Sequence, residues 1–391
     1  MRIFLVAGEP SGDRLGGALM AGLRQLLPQV SFDGIGGPQM QAQGLTSRFP
    51  MDELSVMGLA EVLPKYRHLK RRIAQTAGWV AETQPDLLIT IDSPDFCLRV
   101  ARRVKAVSTI RTVHYVAPTV WAWRPGRAAK MARMIDQVLA LFPFEPPYMQ
   151  EAGMDCDFVG HPVVAEPQAS AAEIAAFRDS QGLGAAPVLL VLPGSRVSEV
   201  TRLAPIFGAA LQPVLSAHPD LRVVVPAAAP VAGLVRSLTA DWPGNPVIVD
   251  PGQLPPEAAA ARKRAAFGTA ALALAASGTV SLELAAAQTP MVIAYKLHWL
   301  SWMIMRRMVR LDTVTLVNLV SETRTVPECL GPDCTPDLIA ARLAEVRTHP
   351  QAQAEAMRLT MERLGQGGEP PGLRAARAVL NRLDQTGASS A

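Results

Sequence analysis

The run Leu88-Ile89-Thr90-Ile91-Asp92-Ser93-Pro94-Asp95-Phe96 places an acid where an apolar stretch stops. Ser93 followed by Pro94 has the pattern of a helix N-cap and a first helical residue. Asp95 then falls in the first turn, where its charge complements the helix dipole. Asp92 stands outside that pattern. A carboxylate there can take a proton from a hydroxyl as a general base, or it can cap the helix. A second acid-bearing turn, Gly8-Glu9-Pro10-Ser11-Gly12-Asp13, follows the apolar residues 3–7. Gly12 permits close backbone approach, and Ser11 and Asp13 can cap a helix. A capped strand–helix turn accounts for these residues; ligand contacts by Glu9, Ser11, Gly12 and Asp13 are the functional alternative. The turn lacks G-x-G-x-x-G, which argues against a nicotinamide dinucleotide.

Two further turns have the chemistry of anion binding. Pro193-Gly194-Ser195-Arg196 follows the apolar run 188–192. Arg196 can grip a phosphate in bidentate fashion, or form an exposed ion pair. Ser277-Gly278-Thr279 opens a helical pattern after another apolar run, and its N–H groups suit a diphosphate. Glu283, a turn later, can accept from ribose hydroxyls or simply favour the helix start. In His114-Tyr115-Val116-Ala117-Pro118-Thr119-Val120-Trp121-Ala122-Trp123-Arg124, core packing explains the aromatics; a sugar or phosphate contact by Trp123 and Arg124 is the alternative.

Positioning these turns requires strands that all end on one side. Strand-like segments lie at residues 3–7, 87–91, 112–116 and 137–140, with helical patterns between them, such as 15–27 and 73–82. Alternation of this kind predicts parallel βα units, whose ligands bind beyond the carboxyl ends of the strands. The pattern restarts at residue 188, with strands expected at 188–192, 221–225, 247–249, 271–275 and 291–294. We expect a hinge near residues 164–175 and helices at 337–348, 351–364 and 373–383. The predicted organisation is therefore 1–165, 175–340 and a helical tail, 341–385, packing back across the domains. The uncharged stretch 265–282 contains Gly268, Ser277, Gly278, Thr279 and Ser281, so it reads as a strand, a turn and a helix start rather than a membrane span.

Composition narrows the function. A length of 391 residues and 49% hydrophobic content suffice for two domains with substantial cores. With 5% aromatic residues the chain suits helices packed on parallel sheets. A net charge of +4 is too small to indicate a nucleic-acid partner. Cys97, Cys156, Cys329 and Cys334 show no metal-ligand spacing and no disulfide framework, so we expect free thiols in a reducing compartment and no metal site. The first strand starts almost at once, which leaves no room for a signal peptide. Two apolar segments border basic clusters: 56–64 runs into Lys65, Arg67, Lys70, Arg71 and Arg72, and 299–310 mixes Trp, Met and Arg. Each is either a buried amphipathic helix or a membrane-surface element.

Taken in order, Leu5-Val6-Ala7-Gly8-Glu9-Pro10-Ser11-Gly12-Asp13, Gly36-Gly37-Pro38-Gln39-Met40, Met57-Gly58, Ile91-Asp92-Ser93-Pro94-Asp95-Phe96 and the His114–Arg124 segment make a pattern. Gly160-His161-Pro162, Leu192-Pro193-Gly194-Ser195-Arg196, Ala276-Ser277-Gly278-Thr279 and Val317-Asn318-Leu319 complete it. This series resembles the lipid-A-disaccharide synthases, membrane-surface glycosyltransferases of Gram-negative bacteria. Pro10, where the family more usually has Thr, removes one backbone donor from its turn.

The resemblance implies a GT-B fold: an α/β protein of two Rossmann-like domains with parallel sheets facing a central cleft. It implies transfer of 2,3-diacylglucosamine from UDP-2,3-diacylglucosamine to 2,3-diacylglucosamine 1-phosphate (lipid X), with inversion. The products are a β-1′,6-linked disaccharide 1-phosphate and UDP. Asp92 is then the base, with Arg196, Glu283 and Asn318 on the donor side. No cofactor is implied. The expected setting is the cytoplasm, peripheral on the cytoplasmic face of the inner membrane, and the family often forms an intertwined homodimer. Two other readings fit the same turns. A UDP-N-acetylglucosamine epimerase would need no acceptor, and a non-catalytic nucleotide-binding membrane adaptor would tolerate loss of Asp92.

Overall fold

The computed structural model describes residues 1–54, 59–121, 126–252, 254–296 and 312–388. The chain forms two compact units, Met1–Ala165 with Leu364–Ala391, and Glu166–Arg363. Each is built on a six-stranded sheet in which every strand pair is parallel.

The first sheet comprises β1 (Arg2–Ala7), β2 (Ser31–Ile35), β3 (Leu87–Ile91), β4 (Arg111–Tyr115), β5 (Gln137–Ala140) and β6 (Asp155–Phe158), in the order β2-β1-β3-β4-β5-β6. The chain moves from β1 to β2 and then returns to the other side of β1, so the order reverses between β1 and β3. The second sheet comprises β7 (Val188–Leu192), β8 (Arg222–Pro226), β9 (Val247–Val249), β10 (Leu272–Ala276), β11 (Met291–Tyr295) and β12 (Glu328–Leu330). Its order, β12-β11-β10-β7-β8-β9, is that of dinucleotide-binding Rossmann sheets, with the reversal between β7 and β10. Both reversals open a crevice at the carboxyl ends of the central strands.

The expected central strands form within a residue or so of their predicted bounds, because each is buried on both faces and reads as a continuous apolar run. Three strands carry no such signal: β2 (SFDGI), β6 (DCDF) and β12 (ECL). All three lie at sheet edges and are only partly buried, so polar residues are tolerated there. The stretch 265–282 contains the end of the helix Pro256–Gly268, all of β10 and the start of the helix Val280–Ala286. Among the described residues no helix is long and apolar enough to cross a membrane.

Two devices fix the first unit around its sheet. The last helix, Pro371–Ala388, lies against the first, Pro10–Leu26. A Cβ at Gly22 would stand 2.7 Å from the Gly372 carbonyl oxygen, and one at Gly372 would stand 2.5 Å from that of Ala18. Only glycines allow the two backbones to approach this closely. The second device is Asp13, which is 3% exposed. Its carboxylate accepts from the N–H groups of Gly37 at 2.8 Å, Gln39 at 2.9 Å and Met40 at 3.0 Å. It therefore caps the helix Pro38–Ala42, which follows β2, rather than its own helix. Replacing Asp13 with Ala would orphan buried N–H groups and should cost on the order of 3 kcal/mol. Urea unfolding measures this; a loss below about 0.5 kcal/mol, the scale of an ordinary surface change, would contradict the capping role.

Candidate functional site

At the first reversal, the carboxyl ends of β1 and β3 bring Glu9, Ser11, Asp92 and Ser93 together. Asp92 and Ser93 both adopt positive φ, at 52° and 42°, a region costly for residues other than glycine. The Asp92 N–H still donates to the Tyr115 carbonyl at 3.0 Å, so the ladder ends there and the chain turns sharply. The Ser11 hydroxyl donates to Asp92 Oδ2 at 3.0 Å, and the Ser93 hydroxyl donates to Glu9 Oε1 at 3.3 Å. A Cβ at Gly8 would lie 2.7 Å from Ser93 Oγ, so Gly8 is what lets this turn close. Ser93 occupies the predicted N-cap position with Pro94 after it, but its hydroxyl serves Glu9 and makes no capping bond. Directly after the neighbouring β4 comes a further outlier, Val116, at φ 87°.

Asp13 belongs elsewhere. Its oxygens are turned inward onto backbone amides, which corrects the expectation that it faces a ligand beside Glu9 and Ser11. Gly12 is buried against the Ile91 carbonyl oxygen, 3.2 Å from where a Cβ would sit; its role is close packing of helix on strand. Trp123 and Arg124 lie outside the described residues, as do the whole of segment 299–310 and residues 56–58 of the other apolar–basic segment.

A buried acid that sequence reasoning missed follows β5. Glu145, 2% exposed, accepts from the N–H groups of Leu141 at 3.0 Å and Phe142 at 2.9 Å, and from the Trp121 indole at 3.3 Å. Burial outweighs these donors and pushes its carboxyl up to about 7. His114 and His161 are buried too, which lowers each to about 4 and keeps both neutral at physiological pH.

At the second reversal lies a cavity of about 580 Å³, within the usual range for small-ligand sites. It is bounded by the ends of β7, β8, β9 and β10 and by three helices, and Gly194, Ser195, Arg196, Ser277, Gly278, Thr279 and Glu283 all line it. The sequence thus located one wall of the cavity well. The opposite wall, with Ala227, Val249, Asp250, Leu254, Lys263 and Phe267, was not foreseen. Asp250 had a readable signal, since it directly follows an apolar strand as Asp92 does. Lys263 had none: its helix, Pro256–Gly268, is aligned with Val280–Ala286 only by packing.

The turn after β7 is already occupied by the chain itself. Glu199, with its side chain 10% exposed, accepts from the N–H groups of Ser195 at 3.1 Å and Arg196 at 3.4 Å, and from the Arg196 guanidinium at 2.7 Å. A Cβ at Gly194, whose φ is +122°, would lie 2.6 Å from that of Glu199. This turn therefore offers a ligand the Arg196 side chain, two-thirds exposed, rather than its backbone N–H groups. The spacing Arg196-x-x-Glu199 is that of a capping box, the signal that would have found Glu199. Gly278, at φ +147°, has open space above it. Glu283 is ion-paired with Lys263. Asn318, expected on the donor side, is 1% exposed and spends its amide on Thr313 Oγ1, the Val326 carbonyl and the Val326 N–H. It pins the loop after its own helix and does not line the cavity, which corrects that expectation. Among the described residues no group of three His, Cys, Asp or Glu is placed to hold a metal ion.

Two wholly parallel α/β units, one with a strained acid at its reversal point and one with a cavity there, make the architecture of a GT-B enzyme. Solved structures agree on the fold. A putative UDP-N-acetylglucosamine 2-epimerase of Listeria monocytogenes has a TM-score of 0.64 at 13% identity, with 98% of this chain and 97% of that chain covered. The Neisseria meningitidis UDP-GlcNAc 2-epimerase bound to UDP-GlcNAc has 0.62 at 10% identity, covering 98% and 100%. Sequence separates the families. The model of the lipid-A-disaccharide synthetase family matches residues 3–372. The lipid-A-disaccharide synthase of Ruegeria pomeroyi is 72% identical over 98% of this chain and 96% of its own length. That of Rhodospirillum centenum is 50% identical over 97% and 94%. The chain belongs to the lipid-A-disaccharide synthase family. It is a glycosyltransferase, which removes the epimerase and the non-catalytic adaptor from consideration.

The raised Glu145 carboxyl makes stability depend on pH. The folded state holds the Glu145 proton between pH 4.5 and about 7, where an unfolded carboxyl has released it. Its contribution to stability therefore falls as pH rises through that window. The stability of the protein relative to E145Q should drop by on the order of 3 kcal/mol from pH 4.5 to 7 and stay level above. Taking the difference removes the opposite slope of the two histidines. A pH-independent difference would show that Glu145 is ionised throughout.

Proposed function

We propose that the protein transfers 2,3-diacylglucosamine from UDP-2,3-diacylglucosamine to lipid X, with Asp92 of the first unit as base and the cavity of the second unit as the UDP subsite. Asp92 removes the proton of the acceptor 6-hydroxyl as that oxygen bonds to the donor anomeric carbon. The bond from that carbon to the diphosphate breaks on the opposite face, and UDP leaves with the electron pair. The anomeric centre inverts, giving the β-1′,6 linkage. The Arg196 guanidinium offsets the charge gathering on the diphosphate, so the step needs neither metal nor cofactor.

The observation that carries this reading is Asp92 itself. It is partly exposed, held in a strained conformation at the reversal point, and accepts a side-chain hydrogen bond from the Ser11 hydroxyl. Structural acids in this chain, such as Asp13, are instead filled by backbone amides. Strain maintained around a carboxylate that caps nothing is the mark of a working group.

The decisive experiment mixes purified protein with both acylated substrates in the presence of EDTA and looks for disaccharide 1-phosphate and UDP. Both should form. Strict dependence on added Mg²⁺ would overturn the metal-free mechanism. D92N should lower kcat at least ~10²-fold with folding intact, the usual scale for a general base; near-normal turnover would remove Asp92 from that role.

We also propose that the enzyme works at the cytoplasmic surface of the inner membrane, because both substrates carry acyl chains and the sequence holds two apolar–basic segments of the composition that meets lipid. Replacing Trp299, Trp302 and Ile304 together with Ser should weaken sedimentation with anionic liposomes. Unchanged binding would exclude that segment as the contact.

A further inference from the structure

Three acids line the cavity of the second unit, and they differ in how they are held. Glu199 is fixed by two backbone amides and by Arg196. Asp250 is fixed by the Gly252 N–H at 2.8 Å and by Arg236, which hold its carboxyl below the usual carboxylate range. Glu283 is held by Lys263 alone, side chain to side chain. Lys263 is 49% exposed and Glu283 29%, and the ammonium also stands 5.3 Å from the centre of the Phe267 ring. An ion pair this open is weak, since water solvates both partners well when they separate. It joins the helices Pro256–Gly268 and Val280–Ala286 across the cavity wall, so it can part without disturbing a turn.

A nucleoside diphosphate matches both halves of that pair. Its ribose hydroxyls are donors and suit a carboxylate, while its phosphate oxygens are anionic acceptors and suit an ammonium. Entry of such a ligand replaces one screened contact with two charge-assisted ones. We propose that Lys263 is a diphosphate-binding residue, kept in the cavity by Glu283 until a nucleotide divides the pair. Glu283 then turns to the ribose and Lys263 to the phosphates. The inference rests on the reading of this cavity as the UDP subsite and adds to it a second cation, from a different helix than Arg196. The resting pair also gives the site a preference for intact nucleotides. A bare phosphate must take Lys263 from Glu283 without offering the carboxylate anything in return.

Titration calorimetry on the full chain with uridine, UMP, UDP and inorganic pyrophosphate tests this. K263M should bind UDP about tenfold or more weakly, the scale of a lost hydrogen bond to a charged group, while uridine binds as well as before or better. K263R should keep most of the UDP preference. E283Q should weaken uridine binding and tighten pyrophosphate binding, because Lys263 is released; it serves as the independent test should K263M fold poorly. Equal losses of uridine and UDP in K263M would mean that Lys263 only orients Glu283, and would overturn the proposal. So would an unchanged UDP affinity in K263M. Failure of the wild-type protein to bind UDP at all would instead sink the assignment of the cavity, and this inference with it.

Discussion

Parallel strand pairing is the constraint on which everything else in this protein depends. A parallel pair cannot be closed by a tight turn, so each strand must be followed by a crossover, usually a helix, before the next begins. All carboxyl ends of a sheet then lie along one edge, and each is followed by a turn into the next crossover. Where the strand order reverses, two crossovers leave in opposite directions and no backbone fills the space between them. Here that happens once in each unit, at β1/β3 and at β7/β10. Glu9, Ser11 and Asp92 fall at the first of these points, and Arg196 with Ser277, Gly278 and Thr279 at the second.

The two reversal points are not equivalent. The first is made of short, strained backbone carrying carboxylates and hydroxyls: Asp92 and Ser93 in the left-handed region, with Ser11 and Glu9 bonded to them. The second is a cavity whose wall combines apolar side chains with three cations, Arg196, Arg262 and Lys263, and three acids. A base is needed where a hydroxyl is to be deprotonated, and positive charge where a diphosphate departs. The division of labour proposed for the units follows from those surroundings and needs no difference in fold.

Much of this was legible along the chain, for a physical reason. A strand buried on both faces must be apolar throughout, so β1, β3, β7 and β10 announce themselves, and the turns after them are located at once. The edge strands β2, β6 and β12 did not, because a half-exposed strand accepts Asp, Gly and Glu. Among site residues the same contrast holds. Asp92, Arg196 and Glu283 stood out because each follows a readable strand end, directly or in the turn and helix start that come next. Asp13 was credited with a ligand contact on the same local evidence and Asn318 through the family resemblance, yet both are buried and filled by the chain's own groups.

What the sequence determined by itself was therefore the set of strand ends and the residue types placed there, since burial and helix capping act over a few neighbouring residues. Only the tertiary structure decided which of those groups remain available. Whether a carboxylate meets a ligand or a buried amide depends on elements far along the chain: the helix Pro38–Ala42 that claims Asp13, and the helix Pro256–Gly268 that brings Lys263 to Glu283. Those encounters are set by packing at a distance, and no local pattern of residues encodes them.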